Sequence, residues 1–399
     1  MRPARGDRLS SRPKRINGIH NRPPMRMAER IGTWIRAEFV LFVSIILALI
    51  SILFVPPSEE YLGYIDVPML CILFCLMASV AGLSECGVFK VAALWIVEKT
   101  GSARRVCLAL VALTFFSSMA ITNDVSLITF VPLAIAVLSS AGRKDLIPWT
   151  LVLQTIAANL GCMLTPIGSP HNLFVCSKYS LGFEEMVSTM APYLIVGGIA
   201  LFASCAFLCR GESSKPSSAG SRPENTKLLV AMTVVFVISV LSVSGTVPYW
   251  IALIAAVAAM MALKPSLFGK VDYSLLLTFV FLFIFTGNIT NIESVASFLG
   301  GLMDWDPMMM PALSSQVISN VPAAVLLSNF TSDWQSLLVG VNIGGFGTPI
   351  ASMASLITFR LYAKEKGKDG GRFAILFLAA NALAFVLLSA LYYALMAVS

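Results

Sequence analysis

Apolar runs at Phe39–Val55, Ile65–Leu83, Tyr193–Cys209, Leu228–Val243, Ser274–Phe285 and Phe373–Val398 come near or reach the length of a bilayer crossing. Inside hydrocarbon every backbone N–H and C=O must find its partner within the protein, so such runs are helical. The chain therefore reads as an all-α polytopic membrane protein. Its composition agrees, because 57% of the 399 residues are hydrophobic and 12% are charged, about half the charge of a soluble domain.

The formal charge of +7 is concentrated at one end. Residues 1–36 hold ten Lys/Arg and two acids, a basic cytoplasmic tail beside the first helix rather than a nucleic-acid arm. A signal peptide does not fit, since the basic region is too long and no small-residue cleavage site follows the apolar run. Met25 and Met27 also lie within the tail, so translation could start there. The eight Cys form no Cys-x-x-Cys and pair with no nearby His, which argues for small apolar filler over a metal or redox site.

Nine spans follow, near 39–55, 65–83, 147–177, 189–209, 228–244, 248–263, 274–288, 336–359 and 374–396, the third and eighth interrupted. Two further stretches, 106–140 and 307–330, each hold a polar turn, around Asn123 and Asn320. Arms of about 12–16 residues, roughly 18–24 Å of helix, fall short of about 30 Å of hydrocarbon, so each stretch predicts a re-entrant hairpin. With the N-terminus cytoplasmic and the C-terminus outside, 27 of the 28 Lys/Arg are cytoplasmic and only Lys178 is external. The positive-inside rule is then met almost completely. Counting either hairpin as a single crossing would destroy that pattern.

The polar loop 210–227 divides a first repeat (37–209) from a second (228–399). "YIDVPMLCILFCLMASVAGL" at 64–83 is similar to "KVDYSLLLTFVFLFIFTGNI" at 270–289, each followed by an amphipathic segment, 87–98 and 291–302, and then a hairpin. The hairpins open to opposite sides, which makes the repeat inverted, as in many secondary transporters. The interrupted spans carry a shared pattern, N-[LI]-G-x-x-x-T-P-I-x-S, beginning at Asn159 and Asn342 and offset by 183 residues. Gly161, Pro166, Gly168 and Pro170 in one copy and Gly344, Gly345, Gly347 and Pro349 in the other must break the helix.

Irregular backbone at membrane depth survives only where it is buried in protein or lines a cavity. Thr165-Pro166 and Thr348-Pro349 each read as a hydroxyl cap followed by Pro at the first helical position. Four half-helix N-termini then face the midplane, two from hairpin tips and two from broken spans. Their free N–H groups suit a carboxylate or other oxyanion, while unwound carbonyls with Asn and Thr oxygens suit Na+. The plainer alternative is that small and polar residues only let helices pack closely. Two interruptions in matching positions, each coupled to an Asn-tipped hairpin, argue for the site.

Asp124 is the only acid in the middle of an apolar segment. Either it carries a proton or ligates a cation, or its charge is held by the N–H groups of Val125 and Ser126 at a helix start. The functional reading is preferred because intramembrane acids mark ion pathways. His171 is equally compatible with a proton relay, a substrate ligand or a hydrogen-bonded structural role. An intramembrane hydrolase would need a second acid, a Ser/His pair or a metal cluster. The only His are His20 and His171, and there is no His-Glu-x-x-His. No enzymatic activity is expected.

The motifs "TNDVSLITFVPLAI", "LTPIGSPHN" and "SQVISNVPAAVLL" resemble the hairpin and broken-span signatures of the ion-transporter superfamily. That group includes sodium-coupled di- and tricarboxylate symporters, arsenite permeases and a branch of sodium/proton antiporters. Over most of residues 39–396 the chain closely resembles bacterial permeases with a citrate-transporter-like domain. The resemblance implies that hairpin tips and broken spans build the substrate and cation sites. Thr122-Asn123 and Ser319-Asn320 match the Ser-Asn of the symporters' Ser-Asn-Thr signature, while Asp124 and Val321 stand where its carboxylate-contacting Thr would be. The missing hydroxyls argue against symporter-type dicarboxylate recognition, and an Asn-Asp tip looks more like the arsenite-permease and antiporter side. The first half also lacks one span that the symporters possess.

The candidate substrate ligands are Thr122, Asn123, Thr165, Ser169, Asn172, Ser319, Asn320, Thr348 and Ser352. Those for cation or proton coupling are Asn123, Asp124, Asn159, Gly161, Asn320, Asn342 and Gly344. The expected function is secondary active transport of a small anion or carboxylate by alternating access in the plasma membrane. Na+ or H+ would be the coupling ion, with no other cofactor and no nucleic-acid partner. The alternative is a sodium/proton antiporter or arsenite-type efflux permease using Asp124. A homodimer is implied by the resemblance alone.

Overall fold

The computed structural model describes residues 38–89, 91, 102–209, 225–364 and 370–398. The basic tail, nearly all of the 210–227 linker and most of the 87–98 segment lie outside the described residues. Val40–Ser399 form one compact unit. The α-helices in order are α1 (Phe39–Phe54), α2 (Glu60–Tyr64), α3 (Val67–Glu85), α4 (Ala103–Ala120), α5 (Asn123–Ser140), α6 (Ile147–Cys162), α7 (Pro170–Tyr179), α8 (Phe183–Leu208) and α9 (Thr226–Val243). They continue with α10 (Tyr249–Leu263), α11 (Tyr273–Thr290), α12 (Glu293–Trp305), α13 (Met309–Ile318), α14 (Asn320–Leu327), α15 (Trp334–Ile343), α16 (Met353–Ala363) and α17 (Gly370–Met396).

Among the described residues seven helices, α3, α4, α5, α8, α9, α11 and α17, are long and apolar enough to cross a membrane. The chain is a multi-pass membrane protein. α1 and α10 are shorter apolar helices where spans were expected. α6–α7 and α15–α16 are the two broken spans. α8 begins at Phe183, before the expected 189, because the Glu185 carboxylate accepts a hydrogen bond from Gly182 N–H at 2.7 Å and anchors an earlier first turn. The second amphipathic segment is α12.

The repeat is visible in its caps. Asp66 accepts from Met69 N–H at 2.9 Å to start α3, and Asp272 accepts from Leu275 N–H at 3.0 Å to start α11. These are the matching positions of the two similar segments. The hairpins differ from expectation in opposite directions. α4 and α5 have 18 residues each, about 27 Å, because Ser102 caps a turn that carries the helix back through Arg104 and Arg105. α13 and α14 have only 10 and 8 residues, about 15 and 12 Å. The first pair is therefore long enough to cross, whereas the second reaches only partway. Either way, two antiparallel arms leave the orientation of everything downstream unchanged.

The halves interlock. α6 packs on α4 and α5 of its own repeat and on α16 and α17 of the other, while α7 packs on α14 and α15. α3, α9 and α10 pack together around two smaller apolar clusters, while Met69, Ile72, Leu73 and Leu76 of α3 join the main core. Large apolar side chains such as Ile199, Ile375 and Leu383 are exposed on the outer surface, whereas Asn159, Asn172, His171 and Asn342 are buried. That inside-out distribution is what a lipid solvent requires.

Candidate functional site

The first break is built locally. α6 ends at Cys162, and Thr165 then accepts from Gly168 N–H at 3.1 Å, capping a single 3₁₀ turn, Pro166–Gly168. Thr165 Oγ1 also donates to Met119 O on α4 at 2.5 Å. The α-helix resumes only at Pro170, four residues after the expected start. Asn172 Nδ2 donates back to Cys162 O at 2.8 Å and holds the chain in that turn.

The second break corrects the sequence reading, for Thr348-Pro349 starts no helix. Gln316 on α13 intervenes: its Nε2 donates to Gly344 O and Phe346 O, each at 2.8 Å, and its Oε1 accepts from Thr348 N–H at 2.9 Å. The residue between, Gly347, has φ +112°, which a side chain would disfavour. α16 starts at Met353, where the Ser352 hydroxyl accepts from Ala354 N–H at 3.2 Å.

Around these breaks lies one buried polar network. Asn159 Oδ1 accepts from Asn123 Nδ2 of the first hairpin tip at 3.3 Å and from Ser352 Oγ at 3.2 Å, and its Nδ2 donates to Gly345 O at 3.2 Å. Asn320 N–H of the second tip donates to Ala351 O at 3.0 Å, and Ser319 Oγ approaches the same carbonyl at 3.4 Å. Asn342 answers from the other side: its Nδ2 donates to Asn172 Oδ1 at 2.7 Å and its Oδ1 lies 3.2 Å from His171 Nε2. His171 Nδ1 lies 2.5 Å from Ser169 Oγ. The motif asparagines thus each reach into the opposite repeat. The starts of α5, α14 and α16 meet at Asn159, Ala351 and Ser352, and the start of α7 meets Asn342.

Several candidates also have packing or hydrogen-bonding roles. A Cβ on Gly161 would lie 2.0 Å from Phe115 O and 2.2 Å from Ser118 Oγ, and one on Gly344 would lie 2.5 Å from Ser315 Oγ and 3.0 Å from Ala312 Cα. Both glycines let the broken span touch the first arm of its own hairpin, at matching positions of the two repeats. Thr165 and Thr348 are likewise matched: Thr348 Oγ1 donates to Gln316 O at 3.0 Å, as Thr165 does to Met119 O. Their hydroxyls are occupied in holding break to hairpin. Thr122 caps α5 without a side-chain hydrogen bond.

Asp124 differs from all of these. Its Oδ1 is enclosed and has no hydrogen-bond partner, and Ser126 N–H goes to Thr122 O rather than to the carboxylate. His171, in contrast, is bonded at both ring nitrogens. Gln316 was not singled out from sequence, although an amide on an apolar hairpin arm was the available signal. The Thr155–Thr358 hydroxyl pair, 2.7 Å apart and joining the two broken spans, carried no such signal.

Two interlocked inverted repeats, with helix breaks joined to hairpin tips by buried asparagines, define a membrane transporter fold. The chain belongs to the citrate transporter family, whose profile, "Citrate transporter", matches residues 28–333. It is 33% identical over 337 residues to an uncharacterized transporter of Methanocaldococcus jannaschii, covering 83% of this chain and 90% of that protein. It is 29% identical over 293 residues to the inner membrane protein YbiR of Escherichia coli, covering 72% and 77%. Its fold is similar to the crystal structure of the Alcanivorax borkumensis YdaH transporter, with a TM-score of 0.53 at 12% identity, covering 92% of this chain and 97% of the other.

Proposed function

We propose that the protein is a secondary active permease that moves a small carboxylate or other oxyanion together with Na+ or H+ by alternating access. The observation that carries this reading is the position of Asn159, bonded at once to the first hairpin tip and, in the second break, to Gly345 O and Ser352. Helix N-termini gathered there offer partial positive charge to an anion, and the neighbouring carbonyl and amide oxygens suit a hard cation. The candidate ligands of the anion are Asn123, Ser319, Asn320 and Ser352, which surround this junction. Asp124, with an unpartnered oxygen beside the tip, is the coupling group for H+ or Na+.

The same unpartnered carboxylate favours a second reading, sodium/proton exchange or efflux without an organic substrate. Accumulation of labelled citrate in proteoliposomes, with and without an inward Na+ or H+ gradient, separates the two. Gradient-dependent accumulation supports anion symport. No accumulation of citrate, sulfate or phosphate, together with Na+-driven proton flux, establishes the second reading instead.

A further inference from the structure

A cavity of about 230 Å³ lies between the ends of α7 and α14, the start of α3 and the last turns of α11. Its floor is apolar, formed by Phe174, Phe283 and Val325, and Lys178, Asn329 and Tyr64 stand around it. Charge places this end outside, and Lys178 is the one Lys/Arg of 28 on that side. Lys178 Nζ donates to Asn329 Oδ1 at 2.6 Å. Among the described residues no carboxylate forms an ion pair with it. Asp66 lines the same cavity, but its oxygens are engaged by Met69 N–H at 2.9 Å and Ser177 Oγ at 2.6 Å.

The ammonium group is thus hydrogen-bonded to a neutral amide in a partly apolar pocket, and the one carboxylate lining that pocket, Asp66, acts on it only through space. Asn329, its oxygen turned to Lys178, presents its own amide N–H groups. Two adjacent donors, one charged, match the two oxygens of a carboxylate. The cavity also lies on the route to the midplane: Val325 is five residues beyond the Asn320 tip and Phe174 two beyond Asn172, about 8 and 3 Å along their helices. Phe174 and Phe283 line it with ring centroids 5.7 Å apart.

We propose that this outer cavity is a first binding station for the transported anion, where Lys178 Nζ and Asn329 Nδ2 hold one carboxylate or similar oxyanion group before the aromatic floor opens. The inference rests on the anion-transport reading but has a readout that does not need transport. Because Lys178 is the external lysine, a membrane-impermeant amine-acetylating reagent on intact cells reports on it, with acetylation followed by mass spectrometry. External citrate should slow Lys178 acetylation several-fold, whereas chloride at equal ionic strength should not. Lys178→Gln should raise the external citrate concentration for half-maximal uptake about tenfold, the loss of one charge-assisted contact, and Lys178→Arg should restore it.

Equal protection by chloride and citrate would overturn the station, and so would an unchanged half-saturation in Lys178→Gln while uptake proceeds. If the wild type takes up no anion yet citrate still protects Lys178, the anion site stands and the transport reading is what fails. If neither uptake nor protection occurs, the station is overturned together with that reading.

Discussion

The two hairpins descend from one pattern yet solve different problems. The first, α4–α5, has long arms, a relaxed tip with Thr122 at φ −60° and ψ 147°, and an acid at its first turn. The second, α13–α14, has short arms, a strained tip with Ser319 at φ 74° and ψ 155°, and Val321 in place of the acid. The first tip joins the network through a side chain, Asn123, and the second through backbone, Asn320 N–H to Ala351 O. Their bases differ as well. The loop after α5 closes on itself with the Arg143–Asp145 pair, while the loop after α14 is tied to the other repeat by the Tyr179 hydroxyl, which lies 2.8 Å from Ser328 O and 2.9 Å from Thr331 O. The first hairpin thus holds the unpartnered acid, and the second holds the strained tip and is bound to its surroundings.

The largest effect should come from the matched glycines. Gly161→Ala drives Cβ into Phe115 O, a backbone atom that cannot step aside, and should cost about 3 kcal/mol or more, seen as loss of monodisperse protein on size exclusion. Gly344→Ala meets mainly the Ser315 side chain, so Ser315→Gly should restore its melting temperature in part. Ser118→Gly should not rescue Gly161→Ala. Equal rescue of both would erase the distinction between the repeats.

Next, Asp124→Asn should leave expression and melting nearly unchanged, because the carboxylate oxygen has no partner to lose. Ion-coupled flux should fall to background in proteoliposomes. A variant that unfolds would instead mark Asp124 as structural.

Ser319→Gly should release the positive-φ strain, raising stability by about 1 kcal/mol by thermal melting, since only the 3.4 Å contact to Ala351 O is given up. The equivalent Thr122→Gly should lower it, because Thr122 is unstrained and Gly adds freedom to the unfolded chain.

The smallest effect belongs to Asp145. The hydrogen bond from the Arg143 guanidinium holds its carboxyl below the usual aspartate range. A depressed carboxylate stabilises above its unfolded value and loses that contribution as pH falls through the folded one. Asp145→Asn should therefore cost about 0.2–1 kcal/mol at neutral pH, and less in acid, since the Asp145 carboxylate is largely exposed. A pH-independent deficit would mean that the loop is held by packing instead.

Much of this architecture follows from one-dimensional facts. Long apolar runs impose helices, and Gly and Pro repeated 183 residues apart locate both breaks. The tips at Asn123 and Asn320 are also legible, since a polar turn in the middle of an apolar segment marks where the chain reverses. Arm lengths were not, because Ser102 and the residues beyond it extend α4 past the apolar run.

Nor could the sequence say what each motif residue does. Thr165 and Thr348 share a pattern, but one caps a 3₁₀ turn and the other starts no helix, because Gln316 captures the second break. Gly161 and Gly344, candidates for cation or proton coupling, are also points of close helix contact, which the sequence did not show. The reach of Asn159 to Gly345 O and of Asn342 to Asn172 joins residues 186 and 170 positions apart. Local chemistry determines where a helix must stop. Which oxygen then satisfies the freed backbone depends on what the other repeat brings alongside, and only the packing of the two halves decides that.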